Sequence, residues 1–122
     1  MLDAQLPIKA LLHITGDGLL NLRRVQAPMG WVIEDLPEPQ PIFHFIQACG
    51  RVSEAEMYQV FNMGVGFCVV TAPAAAAQVH TIARQHGVTA HDLGHAVPNP
   101  EHCIWLTPKQ LVSSGDTFVH MP

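Results

Sequence analysis

From Ile8 to Thr15 the chain is mainly apolar, and it breaks at Gly16-Asp17-Gly18. The pattern predicts a buried strand, or a helix turn leading into one, that stops at a glycine turn. Leu19, Leu20, Leu22 and Val25 then recur at helical spacing, and Pro28 with Gly30 ends that element. Trp31-Val32-Ile33 reads as a short second strand. Pro37, Pro39 and Pro41 follow, and such a stretch continues neither a ladder nor a helix interior, so it is a connector. Pro41 suits the first turn of a helix with apolar positions Ile42, Phe45, Ile46 and Cys49, and Gly50 is placed to cap its end. Ser53 with Glu56 three residues on is a capping box for a helix through Met57, Tyr58 and Val60.

Val65 to Thr71 is almost continuously apolar and predicts a central strand buried on both faces. Pro73 opens a helix from Ala74 to His86 with Val79, Ile82 and Ala83 inward and Gly87 as its stop. Ala90 to Val97 and Cys103 to Leu106 predict two closing strands around the turn Pro98-Asn99-Pro100. Beyond Pro108 the tail is polar and weakly patterned. The order strand, helix, strand, two helices, strand, helix, strand, strand implies an α+β fold, a mixed β-sheet covered by helices. No internal repeat is visible, and the proline connector is too short for a domain boundary, so residues 1–122 are expected to form one domain.

Composition narrows the function. A hydrophobic content of 48% over 122 residues is enough for one core. The net charge of −4, with six Lys and Arg residues, provides no basic face for a phosphate backbone, so nucleic acid is not an expected partner. No run of about eighteen apolar residues occurs, and Met1 to Gln5 lacks the regions of a signal peptide. The expectation is a cytoplasmic chain with no membrane partner. Cys49, Cys68 and Cys103 are an odd count with no close pair, which predicts reduced, buried thiols rather than a disulfide framework or zinc ribbon. His91-Asp92-Leu93-Gly94-His95 and His102-Cys103 are dense in ligand-type side chains. A strand there sends neighbours to opposite faces and no tight zinc spacing occurs, so no metal site is expected.

Two glycine segments carry candidate chemistry. In Thr15-Gly16-Asp17-Gly18 the backbone lies between an apolar run and a helix start, where free N–H groups favour an anion. Thr15 adds a hydroxyl, and Arg23 or Arg24 adds positive charge. The same glycines also suit a plain tight turn with Asp17 capping the helix, and His13 on an apolar run also suits a half-buried structural position. In Phe61-Asn62-Met63-Gly64-Val65-Gly66-Phe67, two glycines at the mouth of a strand leave room for another backbone or a ligand. Asn62 there both donates and accepts. A bulge explains the glycines but not the Asn.

Together these segments resemble the carboxy-terminal domain of aminoimidazole ribonucleotide (AIR) synthase, the cyclo-ligase of purine biosynthesis. That family carries His-Ile-Thr-Gly-Gly-Gly before a helix and later Ser-x-x-Glu-Met-Tyr-x-x-Phe-Asn-x-Gly-x-Gly. Ser53, Glu56, Met57, Tyr58, Phe61, Asn62, Gly64 and Gly66 match the second pattern, and the similarity runs from Ile8 to Val97. The resemblance implies an AIR synthase C-terminal-domain-like fold that closes a substrate cleft against an amino-terminal ATP-binding domain. In such an enzyme ATP activates the formyl amide oxygen of formylglycinamidine ribonucleotide, a nitrogen attacks, and ADP and phosphate leave as the imidazole forms. By the resemblance His13 is the catalytic candidate, and Thr15, Gly16, Gly18, Arg24, Asn62, Gly64 and Gly66 are substrate-binding candidates.

The departures from the pattern matter equally. Asp17 replaces the middle glycine of the family's triple and puts a carboxylate where an anion is expected. The following helix is one residue shorter, at Leu20-Asn21, and Arg23 replaces a proline before Arg24. Residues 1–122 hold nothing like the ATP-binding domain. The resemblance therefore implies that this domain alone binds no cofactor, that ATP and Mg2+ come with an N-terminal ATP-binding partner in cis or trans, and that the chain is inactive by itself. A phosphorylated small-molecule substrate and a homo-oligomer are further expectations. Two alternatives are a non-catalytic module that kept the fold, which Asp17 favours, and a domain of another ATP-dependent relative. Selenophosphate synthetase, thiamine-phosphate kinase and formylglycinamide ribonucleotide amidotransferase are such relatives.

Overall fold

The computed structural model describes residues 1–122. The first apolar run forms strand β1 (Ile8–His13), with Leu12 buried while Lys9, Leu11 and His13 face outward. The segment after the glycine turn is not an amphipathic α-helix but a 3-10 helix, Gly18–Arg24. Its five residues Gly18 to Leu22 are all buried, so the segment has no solvent-facing side until Arg23. Strand β2 (Met29–Ile33) begins ahead of the expected Trp31 and takes in Gly30, whose missing side chain admits the Cys103 carbonyl and the Trp105 ring.

Helix α1 (Pro41–Gly50) starts at its proline as expected. Its left-handed C-cap is Arg51, at φ 52°, rather than Gly50. Helix α2 (Glu54–Val60) carries the predicted cap, with Ser53 Oγ accepting from the Glu56 N–H at 3.2 Å.

Strand β3 (Phe67–Thr71) corrects the expectation of a central strand. It pairs only with β1, antiparallel, in a two-stranded ribbon that sets His13 opposite Phe67 and Leu11 opposite Val69. One face of the ribbon covers the core through Leu12 and Cys68, while Leu11 and Phe67 stand out on the other. The apolar run thus marks a two-faced apolar ribbon, not burial on both sides.

Helix α3 (Ala76–Gln85) follows a 3-10 turn at Pro73–Ala75 and buries Val79 and Ala83. Strands β4 (Gly94–Pro98) and β5 (Ile104–Leu106) are the expected closing pair, β4 being shorter than predicted. The tail is not irregular. It forms a hairpin of β6 (Leu111–Ser114) and β7 (Thr117–His120).

The larger sheet has the order β4-β2-β5-β6-β7, with β2 and β5 parallel and every other pair antiparallel. This is the mixed sheet of an α+β fold. One contiguous core of 16 buried residues joins ribbon, 3-10 helix, α2 and sheet, centred on Leu19, Met57, Ile104, Leu106 and Leu111. No helix is long and apolar enough to cross a membrane.

All three cysteines are free, but only Cys68 is fully buried. Burial pushes its thiol up to about 11, which removes thiolate character at neutral pH. Cys49 is exposed, because it lies on the outward face of α1 with Ile42 and Phe45.

Candidate functional site

The two glycine segments meet. Antiparallel pairing of β1 with β3 carries both strands to the same end, and the Ile14 N–H donates to the Gly66 carbonyl at 3.0 Å. Gly18 then packs against the end of α2. A Cβ at this position would lie 2.3 Å from the Tyr58 carbonyl oxygen and 2.6 Å from that of Phe61, and its φ is +50°. Gly18 is thus a close-approach glycine whose missing side chain faces protein, not ligand.

Gly16 is exposed, with nothing within 4 Å of an added Cβ. Asp17 is also exposed, in the left-handed region at φ 72°, and its carboxylate makes no capping bond, so it does not act as the helix cap. The loop is organised instead by Asn21, a residue that sequence patterning passed over. Its buried Nδ2 donates to the carbonyls of Thr15 at 3.0 Å, Gly16 at 2.8 Å and Gly18 at 2.7 Å. The N–H groups of Gly16 and Asp17 have no backbone partner. A seven-residue 3-10 helix supplies little axial dipole, so the predicted helix contribution to an anion cradle is lost and only the loop's own donors remain.

On the facing segment, Asn62 folds back on itself. Its Oδ1 accepts from the Gly64 N–H at 2.9 Å while its carbonyl accepts from Val65 at 2.9 Å, an Asx turn that holds Gly64 at φ +93°. Gly66 is open to solvent and contributes its carbonyl to Ile14. The polar residue at the mouth of an apolar strand therefore has a local turn-forming role.

Two grooves flank the 3-10 helix. One, of about 380 Å³, is lined by Lys9, His13, Arg24 and Gln26 over the apolar part of β1, and contains no carboxylate. His13 and Arg24, eleven residues apart, share it. Lys9, two strand repeats before His13 on the same outward face, is a cationic neighbour that period-two alternation could have identified.

The other groove, of about 500 Å³, is lined by Asp17, Asn21, Arg23, Arg24, His102 and Asp116. Arg23 is occupied there, donating to the Gly115 carbonyl and pairing with Asp116 at 3.5 Å. Arg24 borders both grooves with no ion pair. The His-rich segments are dispersed: His80 Nε2 bonds Asp92 at 2.8 Å and His95 Nδ1 bonds Glu34 at 3.0 Å, both at the surface.

Against known proteins, a family model described as "AIR synthase related protein, C-terminal domain" matches residues 2–105. Phosphoribosylformylglycinamidine cyclo-ligase of Methanocaldococcus jannaschii is 39% identical over 99 residues, covering 81% of this chain and 28% of that protein. The enzyme of the same name from Methanothermobacter thermautotrophicus is 48% identical over 73 residues, 60% of this chain and 21% of its own length. That of Methanosarcina acetivorans is 51% identical over 63 residues, 52% and 19% of the two chains. The chain thus spans about a quarter of the length of the curated relatives it matches.

Proposed function

Since the chain belongs to the AIR synthase related protein C-terminal domain family, we propose that it is the substrate-side domain of an ATP-dependent cyclo-ligase. That enzyme converts formylglycinamidine ribonucleotide to aminoimidazole ribonucleotide in cytoplasmic purine biosynthesis. The observation that carries this reading is the convergence of both family segments, joined by the Ile14 to Gly66 hydrogen bond, beside a groove where His13 and Arg24 stand together.

In this reading an anionic substrate meets Arg24 and Lys9 in the acid-free groove, with His13 at its edge as the catalytic candidate. Thr15, Gly16, Asn62, Gly64 and Gly66 remain substrate-binding candidates by the resemblance, on the two segments that meet at the end of β1 and β3 rather than in the lining of the groove, and Gly18 serves by seating the loop on α2. ATP and Mg2+ belong to an N-terminal ATP-binding partner, and the chain has no turnover without it.

The test combines the chain with an ATP-binding domain of a cyclo-ligase and follows ADP release with formylglycinamidine ribonucleotide. The combination is expected to turn over, and either His13→Ala or Asn62→Ala to lower kcat/KM by tenfold or more. Unchanged substrate affinity and turnover in both variants would sink the site assignment. A second reading, a module that kept the fold without the reaction, is favoured by the free Asp17 carboxylate in the loop. It predicts no turnover with any partner domain.

Leu11 and Phe67 on the ribbon and Ile42 and Phe45 on α1 are 44% to 65% exposed. Apolar surface of this kind is what a partner domain covers, and without one it drives self-association. Light scattering of the isolated chain is expected to give a mass that rises with concentration. A constant monomer mass would count against an uncovered docking face.

A further inference from the structure

Helix α1 is the one α-helix with no fully buried residue, and it carries no Asp, Glu, Lys or Arg. Its inner side is held by Phe43, whose ring centroid lies 6.0 Å from that of Phe61, and by Ile46 against the core. On the outer side Pro41, Ile42, Phe45, Ala48 and Cys49 are all exposed, Phe45 at 65%. A period of about 3.6 residues puts these five on one face with Phe45 at its middle. We propose that this face is the seam of a homodimer, in which α1 packs antiparallel on α1 of a second copy about a two-fold axis at Phe45. The proposal goes beyond the substrate-side reading and does not depend on it.

Charge identifies the occupant as a second copy. Copies of a chain with net charge −4 repel one another in general, and α1 offers them a charge-free place to meet. Opposite charges flank that place. Glu38 stands three residues ahead of the helix with its side chain 85% exposed, and Arg51, the exposed C-cap, has no ion pair. An antiparallel pairing sets Glu38 of each copy beside Arg51 of the other, whereas a parallel pairing sets like charges together. Shape agrees, since a two-fold axis at Phe45 puts Ile42 opposite Ala48 and Pro41 opposite Cys49 of the copy, large against small. Antiparallel dipoles add to the fit. Such an isologous contact closes after two copies. One helix per side buries less than the roughly 800 Å² per partner of a standard interface, so the dimer is weak and concentration-dependent. The ribbon face of Leu11 and Phe67 lies on a separate element and stays free for a partner domain.

The experiment is analytical ultracentrifugation of the 122-residue chain under reducing conditions. The unmodified chain is expected to show a monomer–dimer equilibrium. Phe45→Asp is expected to weaken it tenfold or more, and Phe67→Asp to leave it within twofold. Glu38→Lys and Arg51→Glu are each expected to weaken the dimer threefold or more, while the two together restore it to within twofold. Under mild oxidation, Ile42→Cys is expected to form a disulfide with Cys49 of the other copy. In the unmodified chain the two Cys49 thiols are set about 12 Å apart along the seam and do not join.

A chain that stays monomeric at every concentration overturns the proposal, and so does a dimer that Phe45→Asp leaves within twofold. A charge swap that fails to restore pairing, or an Ile42→Cys chain without the cross-copy disulfide, overturns the antiparallel seam. If the chain is monomeric and α1 becomes protected only on adding a cyclo-ligase ATP-binding domain, the face belongs to that domain and the proposal fails. The charge swap and the crosslink decide even if Phe45→Asp does not fold.

Discussion

A chain ending at Pro108 is expected to lose its cooperative unfolding transition. The hairpin of β6 and β7 lies beyond the residues the family model matches, yet Leu111 is 0% and Phe118 3% exposed, both in the central core. Deleting the contacts of one such side chain costs about 2–5 kcal/mol for Leu and about 3–5 kcal/mol for Phe. The same cut removes the Ser113 hydroxyl that accepts from the Ile104 N–H at 2.8 Å, leaving a buried donor unpaired, and it bares the edge of β5. Against a total stability of about 5–15 kcal/mol for a domain of ordinary size, these losses are decisive. Circular dichroism on heating checks this, and Phe118→Ala in the full chain provides the graded version at about 3–5 kcal/mol. A truncated chain that melts cooperatively at the original temperature would show that the hairpin is an accessory.

Gly18→Ala is expected to destabilise by about 2–5 kcal/mol, combining about 1–2 kcal/mol for a left-handed backbone with about 1–3 kcal/mol for overpacking. The clashing atoms are backbone carbonyls of Tyr58 and Phe61, which cannot rotate away as a side chain could. Relief requires moving the end of α2, and with it Met57 and Tyr58 in the core. By contrast Gly16→Ala meets nothing within 4 Å and is expected to change stability by less than about 0.5 kcal/mol. Urea unfolding of the two variants side by side measures the difference. Equal effects would mean that the glycines of this loop share one role.

That contrast shows how far the sequence could be read. Short-range signals translated directly: Pro41 opens α1, and Ser53 with Glu56 caps α2, because each needs only its immediate neighbours. The resemblance also placed His13 to Gly18 beside Asn62 to Gly66, and the pairing of β1 with β3 brings those segments together.

Features that depend on distant partners were not legible. The apolar run through β3 predicts burial on two faces, but the chain supplies only β1 as its neighbour. The leucines at 19, 20 and 22 fit a helical period, yet the segment is a 3-10 helix, a distinction that a spacing of three or four residues does not make. Gly18 reads equally as a turn glycine or a ligand glycine, and its close approach to the carbonyls of α2 leaves no local signal. The tail differs, since Gly115-Asp116 is a two-residue loop of the type glycine opens in hairpins. Polar Ser113 and Ser114 masked the alternation around it. Asn21 left no signal in the pattern, because its partners are carbonyl oxygens, which every residue has.

Arg23 and Arg24 look like a doubled cation in the sequence, but successive side chains on a 3-10 helix diverge by about 120°. The first is occupied by Gly115 and Asp116 at the tip of the hairpin, while the second stands between the two grooves. The pair is therefore a division of labour, a tether and a free guanidinium. An incoming anion meets one positive charge there rather than two, while the other fastens the end of the chain to the loop that faces it.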